Sequence, residues 1–73
     1  MPMQENISIV LNGEAIQCPI NLNFLELLNH LELEPRSLAI ELNREILPKS
    51  EWENRQVENG DKIEIVQFVG GGL

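Results

Sequence analysis

Only one long stretch of the sequence has the apolar spacing of an α-helix, and segments with strand-like alternation flank it. Apolar side chains at positions 24, 25, 28 and 31 fall on one face of a helix predicted for residues 21–31. Apolar residues alternate at period two before this helix, in residues 7–11, and again after it, in residues 62–68. A single helix that buries its apolar face on a sheet predicts a two-layer α+β domain.

The first hairpin has the most clearly marked turn of the chain. Asn12-Gly13 follows the first strand, and both residue types take a positive φ at low cost. The return strand is predicted from Glu14 to about Cys18, where Pro19 removes an amide donor and ends it. The sheet is therefore expected to begin with an antiparallel pair.

A second hairpin is expected between a third strand at residues 37–42 and a short fourth strand at residues 45–47. Its turn is Asn43-Arg44, and arginine tolerates a positive φ less well than glycine does, so either another turn type or a strained turn is expected. The strand at 62–68 completes a mixed sheet of four to five strands. The crossover through the helix lets the third or the last strand run parallel to the first.

The segment between the fourth and the last strand contains the only tryptophan. Residues 50–53 predict one helical turn, with Ser50 as its cap and Glu53 completing a capping box. Trp52 within this turn is expected to cover the core beside the sheet rather than to bind a ligand.

Length and charge exclude several classes of function. The 73 residues predict one domain over residues 1–69 and a glycine tail at 70–73, with no room for an enclosed substrate pocket. The net charge of −7 disfavours nucleic acid and anionic membranes, because both attract Lys and Arg. A single cysteine and the absence of a basic and apolar leader predict a cytoplasmic protein without disulfides.

Residue types suited to catalysis or metal binding are too few for an enzyme site. His30 is the only histidine and is expected at the exposed end of the helix, and Cys18 is expected to pack as a small apolar side chain. One histidine and one cysteine do not form a zinc site, and no nucleophile has a base beside it in the sequence pattern. The sequence therefore predicts no intrinsic cofactor and no metal site.

Three consecutive glycines follow the last strand, at Gly70, Gly71 and Gly72. They bury no side chain and cost entropy to order, so one interpretation is a frayed end or a linker. The other is a thin arm that reaches about 13 Å from the domain, enters a narrow channel of a partner enzyme and presents its terminal carboxylate there. The residues alone leave both interpretations open.

Motifs spread along nearly the whole chain occur together in one known family. They are the opening strand with Asn12-Gly13-Glu14, the leucine-rich helix, Ala39-Ile40-Glu41-Leu42-Asn43, Glu45-Ile46-Leu47-Pro48 followed by Trp52, the turn Asn59-Gly60-Asp61, and the Gly-Gly tail. In this combination the chain resembles the sulfur carriers of thiamine biosynthesis, the ThiS family, which have a β-grasp (ubiquitin-like) fold. The resemblance favours the functional interpretation of the tail.

The resemblance implies a protein co-substrate rather than an enzyme. An adenylyltransferase related to ubiquitin activators would use ATP to adenylate the carboxylate of Gly72, and a sulfur-relay enzyme would then supply the sulfur of a thiocarboxylate. Thiazole synthase would take that sulfur into the thiazole ring of thiamine. Val66 and Phe68, just before the arm, are candidates for an apolar docking patch, the alternative being that they pack beneath the Trp52 loop.

The chain departs from the family pattern at two places. Carriers of this family usually have Asn-Gly in the second turn, where this chain has Asn43-Arg44. Active carriers end at glycine, so Leu73 is an added residue, a residue that is trimmed, or the mark of an inactive relative.

Three other functions are compatible with the same sequence pattern. The small subunit of molybdopterin synthase and a carrier for another sulfur product, such as thiolated tRNA, share the fold and the tail. A non-covalent β-grasp interaction module would use its sheet and not its tail, so it would bind equally well after deletion of the glycines.

Overall fold

A computed structural model of the chain describes residues 5–68. The strands and the α-helix of that part are, in chain order, β1 (Asn6–Leu11), β2 (Glu14–Pro19), α1 (Phe24–His30), β3 (Leu38–Leu42), β4 (Glu45–Leu47) and β5 (Lys62–Gln67). The glycine tail, Leu73 and the predicted domain boundary at residue 69 lie outside the described residues.

Within residues 5–68 the five strands form one mixed sheet, in the order β2-β1-β5-β3-β4. β5 runs parallel to β1 and antiparallel to β3, while both hairpin pairs are antiparallel. The predicted mixed sheet with one main helix is confirmed, and of the two strands considered for the parallel position the last one takes it. β5 therefore occupies the centre of the sheet.

Both hairpins turn through two residues with positive φ, as a type I′ turn requires. In the first hairpin φ is 49° at Asn12 and 84° at Gly13. In the second it is 51° at Asn43 and 73° at Arg44. Of the two alternatives for the second turn, the strained one is therefore found: Arg44 occupies the left-handed region without being glycine.

Helix α1 is shorter at both ends than the predicted 21–31. Asn21 has a φ of 65°, which no helix accommodates, and Asn23 is extended and caps the helix. The side chain of Asn23 accepts a hydrogen bond from the Glu26 amide at 2.8 Å, and the Glu26 carboxylate accepts one from the Asn23 amide at 2.9 Å. At the other end Glu32 takes a φ of 62°, and the helix ends at His30, one residue before the predicted end.

The segment after β4 contains a 3₁₀ helix at Lys49–Glu51, and the predicted capping box of Ser50 and Glu53 is wrong. Pro48 occupies the position before this turn, so the turn begins earlier than expected and Ser50 lies inside it, where it cannot cap. A second 3₁₀ helix spans Pro35–Ser37. It includes Ser37, which was predicted as the first residue of the third strand, so β3 begins at Leu38.

The core lies between the sheet and helix α1. Its buried apolar side chains are Ile9, Cys18, Phe24, Leu27, Leu28, Leu38, Ile40, Leu42, Leu47, Trp52, Val57 and Ile63. Trp52 closes the core beside β4, and its indole N–H donates to the Leu47 carbonyl at 2.9 Å. The prediction that Trp52 covers the core is therefore confirmed.

None of the helices in the described residues is long and apolar enough to cross a membrane.

Candidate functional site

The candidate site is the end of β5, the strand that leads toward the glycines. On one edge β5 pairs with β3 from Ile63 to Gln67, in the register Leu42↔Ile63 to Leu38↔Gln67. Beyond the strand, the Phe68 amide still donates to the Ser37 carbonyl at 2.8 Å. The last described residue is thus held by the centre of the sheet rather than by a loose edge.

The other edge of β5 is held by the side chain of Asn12. Backbone pairing with β1 covers only Val10↔Lys62 and Leu11↔Ile63. The Asn12 amide side chain continues this ladder: its Oδ1 accepts from the Ile65 amide at 2.8 Å, and its Nδ2 donates to the Ile65 carbonyl at 3.4 Å. The sequence predicted Asn12 only as a turn residue, so this second role was missed.

Asp61 and Asn43 fix the beginning of β5. Asp61 is 9% exposed, and its carboxylate accepts from the Glu58 amide at 2.8 Å and from the Asn43 side chain at 3.3 Å. Asn43 Oδ1 in turn accepts from the Lys62 amide at 2.9 Å. β5 is therefore tied to both hairpin turns, at Lys62 and at Ile65, which makes the strand a rigid base for whatever follows it.

The face of the sheet turned away from helix α1, here called the outer face, exposes large apolar side chains. Val66 is 55% exposed and Phe68 54%, so the alternative that they pack beneath the Trp52 loop is wrong. Ile46 on β4 is 67% exposed and was not predicted as part of a patch. The register places Val66 opposite Ala39, and Ile46 opposite Glu41, so Val66 and Ile46 point to the outer face. Phe68 follows Val66 by two residues in the sequence.

The side chains with catalytic potential lie away from this face or are blocked. Cys18 is 1% exposed, and burial raises the pKa of its thiol, which disfavours the reactive thiolate. His30 is exposed at the end of helix α1. Within residues 5–68 no cluster of three or more His, Cys, Asp or Glu side chains could hold a metal ion.

Replacing Cys18 by alanine is expected to leave intact the sulfur loading at the chain terminus that the family resemblance implies. The buried thiol is too shielded to carry sulfur, so the variant should lose only about 1 kcal/mol of stability from the small cavity. Mass spectrometry of the variant after incubation with the sulfur-loading enzymes measures the first effect, and urea unfolding measures the second. Complete loss of sulfur uptake by a folded Cys18→Ala variant would contradict this expectation.

Comparison with known proteins identifies a family and its fold. The sequence model of the ThiS family matches residues 5–72, a range that ends at the third glycine. A crystal structure of the thiamine biosynthesis protein ThiS from Geobacter metallireducens superposes with a TM-score of 0.71 at 30% sequence identity, covering 90% of this chain and all of that one. The expected β-grasp fold is thereby confirmed.

Two curated relatives extend the comparison. The sulfur carrier protein ThiS of Escherichia coli is 32% identical over 66 residues, covering 90% of this chain and all of the relative. A thiazole synthase of Paramagnetospirillum magneticum is 41% identical over 66 residues, which span 90% of this chain but 20% of that protein. A region similar to this chain thus forms part of a much longer protein named as a synthase.

Proposed function

Because the chain belongs to the ThiS family, we propose that it carries sulfur for thiamine biosynthesis as a thiocarboxylate on Gly72. The observation that carries the proposal is the family match over residues 5–72, which includes all three glycines and ends at the residue whose carboxylate would react. A carrier of this kind is consumed and regenerated, so it acts as a co-substrate of other enzymes. Neither a metal nor an intrinsic cofactor is needed for this role.

The chemistry follows from the inertness of a carboxylate. An adenylyltransferase related to ubiquitin activators would let the Gly72 carboxylate attack the α-phosphorus of ATP, releasing pyrophosphate and leaving an acyl-adenylate. Sulfide, or a persulfide on a sulfur-relay enzyme, would then displace AMP from the acyl-adenylate. Sulfide gives the thiocarboxylate directly, whereas a persulfide gives an acyl disulfide whose S–S bond a thiol reductant must cleave to release the thiocarboxylate. The reaction requires a free carboxylate at Gly72, so the peptide bond to Leu73 must first be hydrolysed wherever that residue is present.

Thiazole synthase is the proposed acceptor of the sulfur. A relative with that name contains a region similar to this chain, and covalent linkage of two functions favours their acting together. This supports the thiamine pathway over the molybdopterin or tRNA pathways. The net charge of −7 would speed the encounter with basic enzyme surfaces.

The outer face is the proposed docking surface for these enzymes. Val66 and Phe68 lie four and two positions before Gly70 and are more than half exposed, so a partner that receives the tail meets them first. Ile46 extends the same apolar area onto β4. Burying these side chains in an interface would contribute about 25 cal/mol per Å² of apolar surface.

Mass spectrometry provides the test of sulfur loading. The chain ending at Gly72 is incubated with ATP, sulfide and the adenylyltransferase, and sulfide itself displaces AMP without a redox step. The expected product is heavier by the difference between one sulfur and one oxygen atom, and the gain should be absent without ATP. The chain that retains Leu73 is the matched control and is expected to stay unmodified. If the chain ending at Gly72 also remains unchanged, the proposal is wrong.

A further inference from the structure

Arg44 occupies a backbone conformation that suits glycine. Its φ of 73° lies close to the 84° of Gly13, which takes the equivalent second position of the other hairpin turn. A β-carbon in this region is disfavoured, so Arg44 costs stability relative to glycine. The family resemblance also leads one to expect Asn-Gly here, and this chain has Asn43-Arg44 instead.

No contact within the described residues offsets this cost. The neighbouring Asn43 explains its own conformation, because its side chain bonds Lys62 and Asp61. The guanidinium of Arg44 makes no hydrogen bond within residues 5–68, and the residue is exposed. Strained residues without a local benefit are concentrated at functional surfaces, where a partner supplies the benefit.

The surroundings of Arg44 indicate what kind of partner that is. Arg44 lines a hollow of about 250 Å³ on the outer face, together with Val10, Gly13, Glu41, Lys62, Ile63 and Glu64. Arg44 and Lys62 are two of only five Lys and Arg residues in a chain with a net charge of −7. The hollow therefore combines both charge signs, and Glu41 and Glu64 face each other across β3 and β5 in its floor.

We propose that Arg44 is a specificity-determining residue that pairs with a carboxylate on thiazole synthase when the outer face docks. This inference rests on the proposed function. In this arrangement, the surface of thiazole synthase that contacts the outer face carries an Asp or Glu opposite Arg44 and basic side chains opposite Glu41 and Glu64. A guanidinium binds a carboxylate through two parallel hydrogen bonds, which an ammonium group cannot form.

Continuity with the apolar docking patch supports this occupant. Ile46 lies opposite Glu41, and Val66 follows Glu64 on the same face of β5, so the hollow and the patch form one surface. A synthase that accepts the tail across Val66 would cover the hollow as well. A charged pair enclosed at the edge of an apolar interface fixes the register of docking.

The test separates folding from docking by comparing two effects of Arg44→Gly. Glycine relieves the strained φ, so the urea midpoint of the variant should rise. Its affinity for thiazole synthase, measured by isothermal titration of the chain ending at Gly72, should weaken about tenfold because the charged pair is lost. Arg44→Lys keeps the charge and should weaken binding by about threefold or less. Lys49→Gln removes a cation that lies over the Trp52 ring and outside the hollow, so it is the control for net charge, with binding expected unchanged.

Other outcomes overturn the inference in distinguishable ways. If Arg44→Gly binds thiazole synthase as tightly as the natural sequence does, the role of Arg44 is overturned and the proposed function stands. A lower urea midpoint for Arg44→Gly removes the premise of strain and overturns the inference too. An equal loss in Lys49→Gln assigns the effect to net charge. Absence of any binding by the natural sequence rejects thiazole synthase as the partner altogether.

Discussion

A chain that ends at Gly70 is expected to accept no sulfur at all, although it folds and unfolds like the chain that ends at Gly72. Deleting Gly71 and Gly72 moves the terminal carboxylate back by about 7 Å, since an extended residue spans about 3.5 Å. A reacting carboxylate that stops this far short of an adenylate site cannot attack the phosphorus, because reacting atoms must approach to about 3–3.5 Å. The loss should therefore be complete rather than partial.

Two measurements on the same samples establish this result. Mass spectrometry after incubation with ATP, sulfide and the adenylyltransferase reports sulfur uptake, and circular dichroism in urea reports folding. The deletion leaves in place every hydrogen bond described within residues 5–68, including the one from the Phe68 amide to the Ser37 carbonyl, so the unfolding midpoint should stay the same. A matched Gly71→Ala variant of unchanged length should reach the adenylate site but take up sulfur more slowly, because the added β-carbon makes the arm wider in the narrow channel of the partner enzyme.

The same deletion decides between a carrier and a non-covalent interaction module. Binding to thiazole synthase through the outer face should persist in the chain ending at Gly70, at reduced affinity, because Val66 and Phe68 are retained. A module that uses only its sheet would bind without any loss. Sulfur uptake by the shortened chain would contradict the assignment of the reacting carboxylate to Gly72.

The local pattern was sufficient to predict most of the architecture. The hairpin at Asn12-Gly13 and the strand at Glu45–Leu47 occur where the turn residues and proline indicated, because these signals act over a few neighbouring residues. The apolar face of helix α1 was predicted correctly for the same reason. Its ends were not, since Asn21 and Glu32 adopt a positive φ that periodicity does not encode.

The contacts that hold the candidate site could not be predicted from local pattern. Asn12 bonds Ile65 across 53 positions of sequence, so its second role depends on the placement of β5 beside β1. Ile46 looks like a buried strand residue until the register shows that it points to the outer face. Val66 and Phe68 were candidates for an apolar docking patch in the segment of period-two alternation at 62–68, and both are exposed while Ile63 in the same segment is buried.

Replacing Trp52 by alanine is expected to unfold most of the protein. Trp52 is 2% exposed, and truncation of a buried aromatic side chain costs about 3–5 kcal/mol. A core of this size rarely supplies more than about 3–5 kcal/mol of net stability, so the loss is comparable to the total. The backbone of Trp52 also accepts the Phe24 amide at 3.0 Å, so disorder in this segment would release the first turn of helix α1.

The variant Trp52→Phe separates packing from hydrogen bonding at this position. Phenylalanine retains most of the buried area but lacks the indole N–H, so the Leu47 carbonyl loses its 2.9 Å donor. An unsatisfied buried acceptor costs about 1–3 kcal/mol, which predicts a folded domain with a lower urea midpoint. Because Trp52 is the only tryptophan, its fluorescence disappears in both variants, and far-ultraviolet circular dichroism must follow unfolding. If Trp52→Ala stays within 1 kcal/mol of the natural sequence, the side chain does not close the core as its burial indicates.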